Sequence, residues 1–133
     1  MVVTLYTAGS CTSSRKARGW LLTNHIPFNE RNLDNDKLTR DEVKRLLRMT
    51  ETGTQELLSV RSKAFLRLGV KLDDLTTEEL ITLIIGEPRL LRRPILIDDK
   101  RMQVGYHEDE IRRFLPRSVR ALALQQAQLL AGF

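Results

Sequence analysis

The chain has 133 residues, a formal net charge of +5 and a single cysteine. That length fits one domain, one thiol excludes an internal disulfide, and no apolar run approaches the roughly 18 residues that span a bilayer. The basic balance favours acidic partners, whether nucleic acid, an anionic ligand or an acidic protein surface, and it equally suits a modestly basic soluble protein.

The opening Met-Val-Val-Thr-Leu-Tyr has no basic stretch ahead of an apolar one, so it reads as a strand and not as a signal peptide. Val2 to Thr7 is rich in β-formers and runs into the turn Ala8-Gly9-Ser10. From Thr12 the pattern is helical, with Ala17, Trp20, Leu21 and Leu22 expected on one face and Arg15, Lys16 and Arg18 outside. Asn24-His25 closes this helix, which Pro27 cannot continue. Pro27 to Leu33 reads as a second strand and Asp34-Asn35-Asp36 as a turn. Thr39 with Glu42 forms a capping box for a helix buried through Val43, Leu46 and Leu47. Short helices are expected over Thr54 to Val60 and Ser62 to Leu68, with Gly69 as C-cap. Thr76 or Thr77 opens a further helix, Glu78 to Ile85, stopped by Gly86 and Pro88. The stretch 39–88 carries no strand signal and reads as a helical insertion. Pro94 to Ile97, the turn Asp98-Asp99-Lys100 and Met102 to Val104 form a predicted hairpin. A helix over Glu108 to Leu115, stopped by Pro116, and a last helix or tail over 118–131 complete the chain.

The chemistry concentrates where the first strand meets the first helix. A thiolate at a helix start is stabilised by free N–H groups and the macrodipole. The dipole alone contributes about 1 kcal/mol, less than one pKa unit, so strong activation needs a further cation. A small buried hydrophobe is the alternative reading of Cys11. Three residues on, Ser14 stands where a second cysteine would complete C-x-x-C. It can hydrogen-bond a thiolate at Cys11 but cannot close a disulfide with it; a serine in a helix's first turn is otherwise ordinary. Gly53 suits a positive φ or a close backbone approach, or simply ends a helix. Arg48, Arg61 and Lys63 also fit a solvated helix face. The runs Arg15-Lys16-Ala17-Arg18, Leu91-Arg92-Arg93 and Ile111-Arg112-Arg113 could meet phosphates, yet no DNA-reading motif and little aromatic interleaving accompany them.

The stretches VTLYTAGSCTSSRKARGWL, LLRMTETGTQELLS, RSKAF and LLRRPILIDDKRMQVGYHEDEIRRFLPRSVR together make the chain resemble the Spx family of transcriptional regulators over almost its whole length. That family lies on the arsenate-reductase branch of the thioredoxin-like superfamily. The resemblance implies an α/β fold: a small mixed sheet with flanking helices, its core made of 1–38 and 89–133, and an inserted helical subdomain at 39–88. It implies a cytoplasmic, monomeric regulator of the thiol and oxidative stress response, not an enzyme, with neither cofactor nor metal. Its implied partners are the C-terminal domain of the RNA polymerase α subunit, promoter DNA within the polymerase complex only, and an ATP-dependent protease with its adaptor; no membrane is implied.

Carried over by position, Cys11 matches the first cysteine of the family's redox switch and Ser14 the replaced second one. Arg48 and Gly53 match the α-subunit contact. Arg93, ahead of a proline that is cis in such folds, matches the cation near the thiol, and Arg61 and Lys63 match basic residues of promoter engagement. The competing expectation is an arsenate-reductase-like or monothiol glutaredoxin-like oxidoreductase using Cys11. Reductases of this branch place another arginine in the segment after the hairpin, where this chain has Tyr106.

Overall fold

A computed structural model describes residues 2–51, 53–116, 125, 126 and 128–131. Its centre is a four-stranded mixed sheet of order β2-β1-β3-β4, made of β1 (Val3–Thr7), β2 (Phe28–Asn32), β3 (Ile95–Ile97) and β4 (Met102–Val104). β2 runs parallel to β1, with Val3 opposite Phe28. A parallel pair needs a long crossover, and α1 (Thr12–Thr23) supplies it. β3 is antiparallel to β1, with Leu5 opposite Leu96, and β4 antiparallel to β3. The Asp98 carboxylate closes the hairpin by accepting the N–H groups of Lys100 and Arg101, each at 2.8 Å.

Alternation along β1 and β3 divides the core between the two faces of the sheet. Val3, Leu5 and Leu96 pack with Ala17 and Leu21 of α1 and with Ile111 and Phe114. Tyr6, Ile95 and Ile97 pack instead on the helical segment, through Val43, Leu46, Leu57, Leu58, Ile81 and Ile84. α1 corrects one expectation. Its buried stripe is Ser14, Ala17 and Leu21, whereas Leu22 is 61% exposed and Trp20 only partly buried. Neighbours in a helix lie about 100° apart, so one sheet-facing stripe cannot hold Leu21 and Leu22 together.

α2 (Arg40–Arg48), α3 (Lys63–Leu68) and α4 (Thr77–Gly86) lie between β2 and β3. α2 and α4 start with full capping boxes, Thr39 with Glu42 and Thr76 with Glu79. Gly69 caps α3 at φ 64°. Residues 54–60, expected to be helical, hold only a 3₁₀ turn at Thr54–Glu56. The chain then straightens and pairs with 90–92. The Arg92 N–H donates to the Leu57 carbonyl at 2.7 Å and the Ser59 N–H to that of Leu90 at 2.8 Å, around a Leu58–Leu91 bridge. Leu57, Leu58, Leu90 and Leu91 are all buried, and buried backbone groups must find partners; the pairing provides them for the Leu57 and Leu90 carbonyls. Residues 108–115, also expected to be helical, hold a 3₁₀ turn, Glu110–Phe114, whose N-cap Asp109 makes no side-chain cap. The helix expected over 118–131 falls largely outside the described residues.

One side chain ties the sheet to the helical segment. Glu42 caps α2 by accepting the Thr39 N–H at 3.0 Å, and it also accepts the Tyr6 hydroxyl at 2.8 Å and Arg31 at 2.6 Å. Burial pushes its pKa up, but these donors outweigh burial and hold the carboxyl below the usual glutamate value. The lower value belongs to the folded state, so this stabilisation is present above the unfolded pKa of about 4.3 and is lost as pH falls through the folded value. Glu42→Gln is expected to flatten the acid limb of the stability curve, as read by urea unfolding at stepwise lower pH.

Candidate functional site

The turn between β1 and α1 is fixed from two sides. The Gly9 N–H donates to Asp34 at 2.8 Å, and the Ala8 N–H donates to the Ser14 hydroxyl oxygen at 3.4 Å. Cys11 is the N-cap of α1 (φ −106°, ψ 114°) and is part-buried. Ser14 is fully buried; it is an interior residue of the sheet-facing stripe as well as a first-turn serine. Burial pushes the Cys11 thiol up. The hydrogen bond from the Ser14 hydroxyl, those from the N–H groups of Ser14 and Ser13, and the charge of Arg93 together outweigh burial, and the thiol lies below its ordinary value. The Ser14 hydroxyl is the larger influence and Arg93 the smaller, so Ser14→Ala is expected to raise the thiol pKa more than Arg93→Ala does. The pH dependence of Cys11 alkylation by iodoacetamide measures both.

The Arg93–Pro94 peptide bond is cis, as the resemblance implied. The Gly105 N–H donates to the Pro94 carbonyl at 2.7 Å and holds this segment against the end of β4. Beside it, Cys11 opens into a cleft of about 760 Å³ lined also by Arg61, Arg89, Arg92, Arg93 and His107; among the described residues no carboxylate lines it. The pairing of 57–59 with 90–92 brings Arg61 and Arg92 to one place, and Arg92 Nε donates to the Leu58 carbonyl at 3.1 Å. Arg89 and Arg92 were not singled out as thiol-side residues by the sequence; Arg92 had only the signal of the Leu91-Arg92-Arg93 run and Arg89 none, and the unforeseen pairing is what turns that run toward Cys11.

The remaining site residues lie elsewhere. Arg48 ends α2, and Gly53 precedes the Thr54–Glu56 turn at φ 115°; both are exposed, and neither lines the cleft. Lys63 is the exposed first residue of α3 and is absent from the cleft lining. Tyr106 packs partly buried against the core around Val3 and Leu5, so it brings no cation to the thiol. The arrangement can hold a thiolate and attract anions, and it contains no second sulfur. Among the described residues no cluster of histidine, cysteine and carboxylate side chains could hold a metal ion, and no helix is long and apolar enough to cross a membrane.

A family model described as the ArsC family matches residues 6–114. The global transcriptional regulator Spx of Bacillus subtilis is 58% identical over 131 residues, covering 98% of this chain and 100% of that protein. Spx of Enterococcus faecalis is 57% identical, covering 98% and 99%, and Spx of Listeria innocua is 59% identical, covering 98% and 100%. Among solved structures, an ArsC family related protein from Bacteroides fragilis superposes with TM-score 0.73 at 24% identity, covering 86% of this chain and 98% of that one. Arsenate reductase from Vibrio cholerae gives 0.72 at 18% identity, covering 86% and 95%. At such identities these two structures speak for the fold.

Proposed function

Because this chain belongs to the ArsC family and to the Spx regulators within it, we propose that it controls transcription globally in the thiol and oxidative stress response by binding the C-terminal domain of the RNA polymerase α subunit. The observation that carries this is 57–59% identity to proteins named global transcriptional regulator Spx, sustained over 98% of the chain. Arg48 and Gly53, both exposed, supply the surface for the α subunit, a cation beside a backbone position without a side chain. Arg61 and Lys63, on the neighbouring segment, meet promoter DNA within the polymerase complex. Residues 39–88 act as an insertion in a thioredoxin-like core of 1–38 and 89–133. The protein works as a cytoplasmic monomer without cofactor and is removed by an ATP-dependent protease through an adaptor.

The cation-rich cleft around Cys11 favours a second reading, an arsenate-reductase-like thiol chemistry. Against it stands Tyr106, packed on the core where that branch places an arginine. Two assays on the same preparation separate the readings: capture on immobilised α C-terminal domain, and arsenate turnover with glutathione and glutaredoxin. Capture without turnover is the expected result, and turnover without capture reverses the assignment.

A further inference from the structure

β4 is the outermost strand of the sheet, and among the described residues nothing pairs with its far side. In an antiparallel ladder the bonded pairs alternate. Gly105 N–H donates to the Pro94 carbonyl at 2.7 Å and Asp98 N–H to that of Arg101 at 3.0 Å, so Leu96 and Gln103, opposite one another, form the bonded pair between them. Met102 and Val104 therefore direct their N–H and C=O groups outward. Exposed edges are usually blunted by charge, proline, a bulge or a covering segment; Met102, Gln103 and Val104 provide neither charge nor proline.

This edge lies in a groove. A depression of about 500 Å³, lined by Met49, Met102 and Gln103 among others, shares Arg92 and Val104 with the Cys11 cleft, so the two join along β4. Gln103, only 3% exposed, lines the depression, and its side-chain carbonyl has no hydrogen-bond partner among the described residues, whereas buried polar atoms nearly always have one. The two ends differ in charge. Glu51, Glu110 and Arg113 flank the depression, while the Cys11 end holds Arg61, Arg89, Arg92 and Arg93 without a lining carboxylate. Covering that end demands anions, since guanidinium groups removed from water need partners.

We infer that the outer edge of β4 docks an extended peptide segment of a partner protein, laid along Met102 and Val104 as a fifth strand, with carboxylate side chains at the end against Cys11. Strand addition draws affinity from main-chain hydrogen bonds and specificity from side-chain pockets. Only two residues present outward backbone groups, so the complex is transient and its selectivity rests on the arginine end. The contact goes beyond the α-subunit surface at Arg48 and Gly53 and does not depend on it.

The probe is a short fluorescein-labelled peptide alternating valine and threonine and ending in a run of glutamates, titrated into the full chain by anisotropy. Saturable binding is expected, with the Met102 and Val104 amides gaining protection from hydrogen exchange. Replacing the glutamates by lysines, or N-methylating the peptide backbone at its bonding positions, is expected to weaken binding about tenfold or more. N-methylation alters only the peptide, so it tests the edge without touching the protein's fold. Equal binding by the N-methylated peptide, no binding at all, or protection confined to other amides would overturn the proposal. So would a duplex oligonucleotide that protects this edge where the peptide does not, since the groove would then be a nucleic-acid surface.

Discussion

Gly53→Arg is expected to weaken binding to the α C-terminal domain by about a hundredfold or more, the scale of a hot spot at the centre of an interface, while the protein stays folded. Gly53 has φ 115° and ψ −175°, a region open essentially to glycine alone, so any side chain there costs about 1–3 kcal/mol of backbone strain. Among the described residues, a Cβ at this position has no atom within 4 Å. The chain itself therefore has room for a side chain, and it is a docked partner that would meet the arginine. Gly53→Ala separates the two contributions. It carries the same backbone strain with almost no bulk, so its thermal unfolding should match that of Gly53→Arg while its binding falls much less. Calorimetric titration with the α domain, alongside melting curves of both variants, checks the pair. Equal binding losses in the two variants would place the effect in the fold of the 49–57 turn and not at the contact.

Ser14→Cys is expected to make α binding responsive to oxidant. Position 14 lies in the first turn of α1, three residues on from the N-cap Cys11, and Ser14 is the foremost influence holding that thiol low. This is the C-x-x-C spacing at a helix start, so a thiol there can close a disulfide with Cys11. Diamide would take two electrons and two protons from the thiol pair and be reduced to its hydrazine, leaving a monomer lighter by two hydrogens in mass spectrometry. Ser14 is fully buried and accepts the Ala8 N–H. A sulfur is larger and a weaker acceptor, so the reduced variant should lose about 1 kcal/mol of stability. In the chain with Ser14 the same oxidant has only the Cys11 thiol to act on, and any reversible response runs through a cap or an intermolecular disulfide.

Much of this architecture was legible because local chemistry and tertiary structure agree. Thr39 with Glu42 announces a helix start that the structure keeps as a full capping box, and of the two threonines that could open the later helix the structure selects Thr76, boxed with Glu79. Gly69 sits at the left-handed cap its position suggested, and the Met102–Val104 partner of the hairpin lies where the turn residues placed it. The failures share a cause: they depend on what packs against a segment. Leu22 follows the apolar pattern but faces solvent, because Ser14, Ala17 and Leu21 already fill the strip under the sheet. Leu57 and Leu58 look helical in isolation, yet their buried carbonyls accept from Arg92, more than thirty positions away. That pairing assembles the arginine cleft, so Cys11, Ser14 and Arg93 could be named from sequence, whereas the company of Arg89 and Arg92 could not. Gly53 was legible as a residue that tolerates special backbone, and its φ of 115° bears that out.

The most direct measurement is the affinity of the unsubstituted Ser14 chain for isolated α C-terminal domain, taken in reductant and in diamide without small thiols. Saturable binding of equal strength under both conditions is the predicted result: an α-binding regulator without an internal disulfide switch. No binding in either condition, or binding that appears only after oxidation, would contradict it.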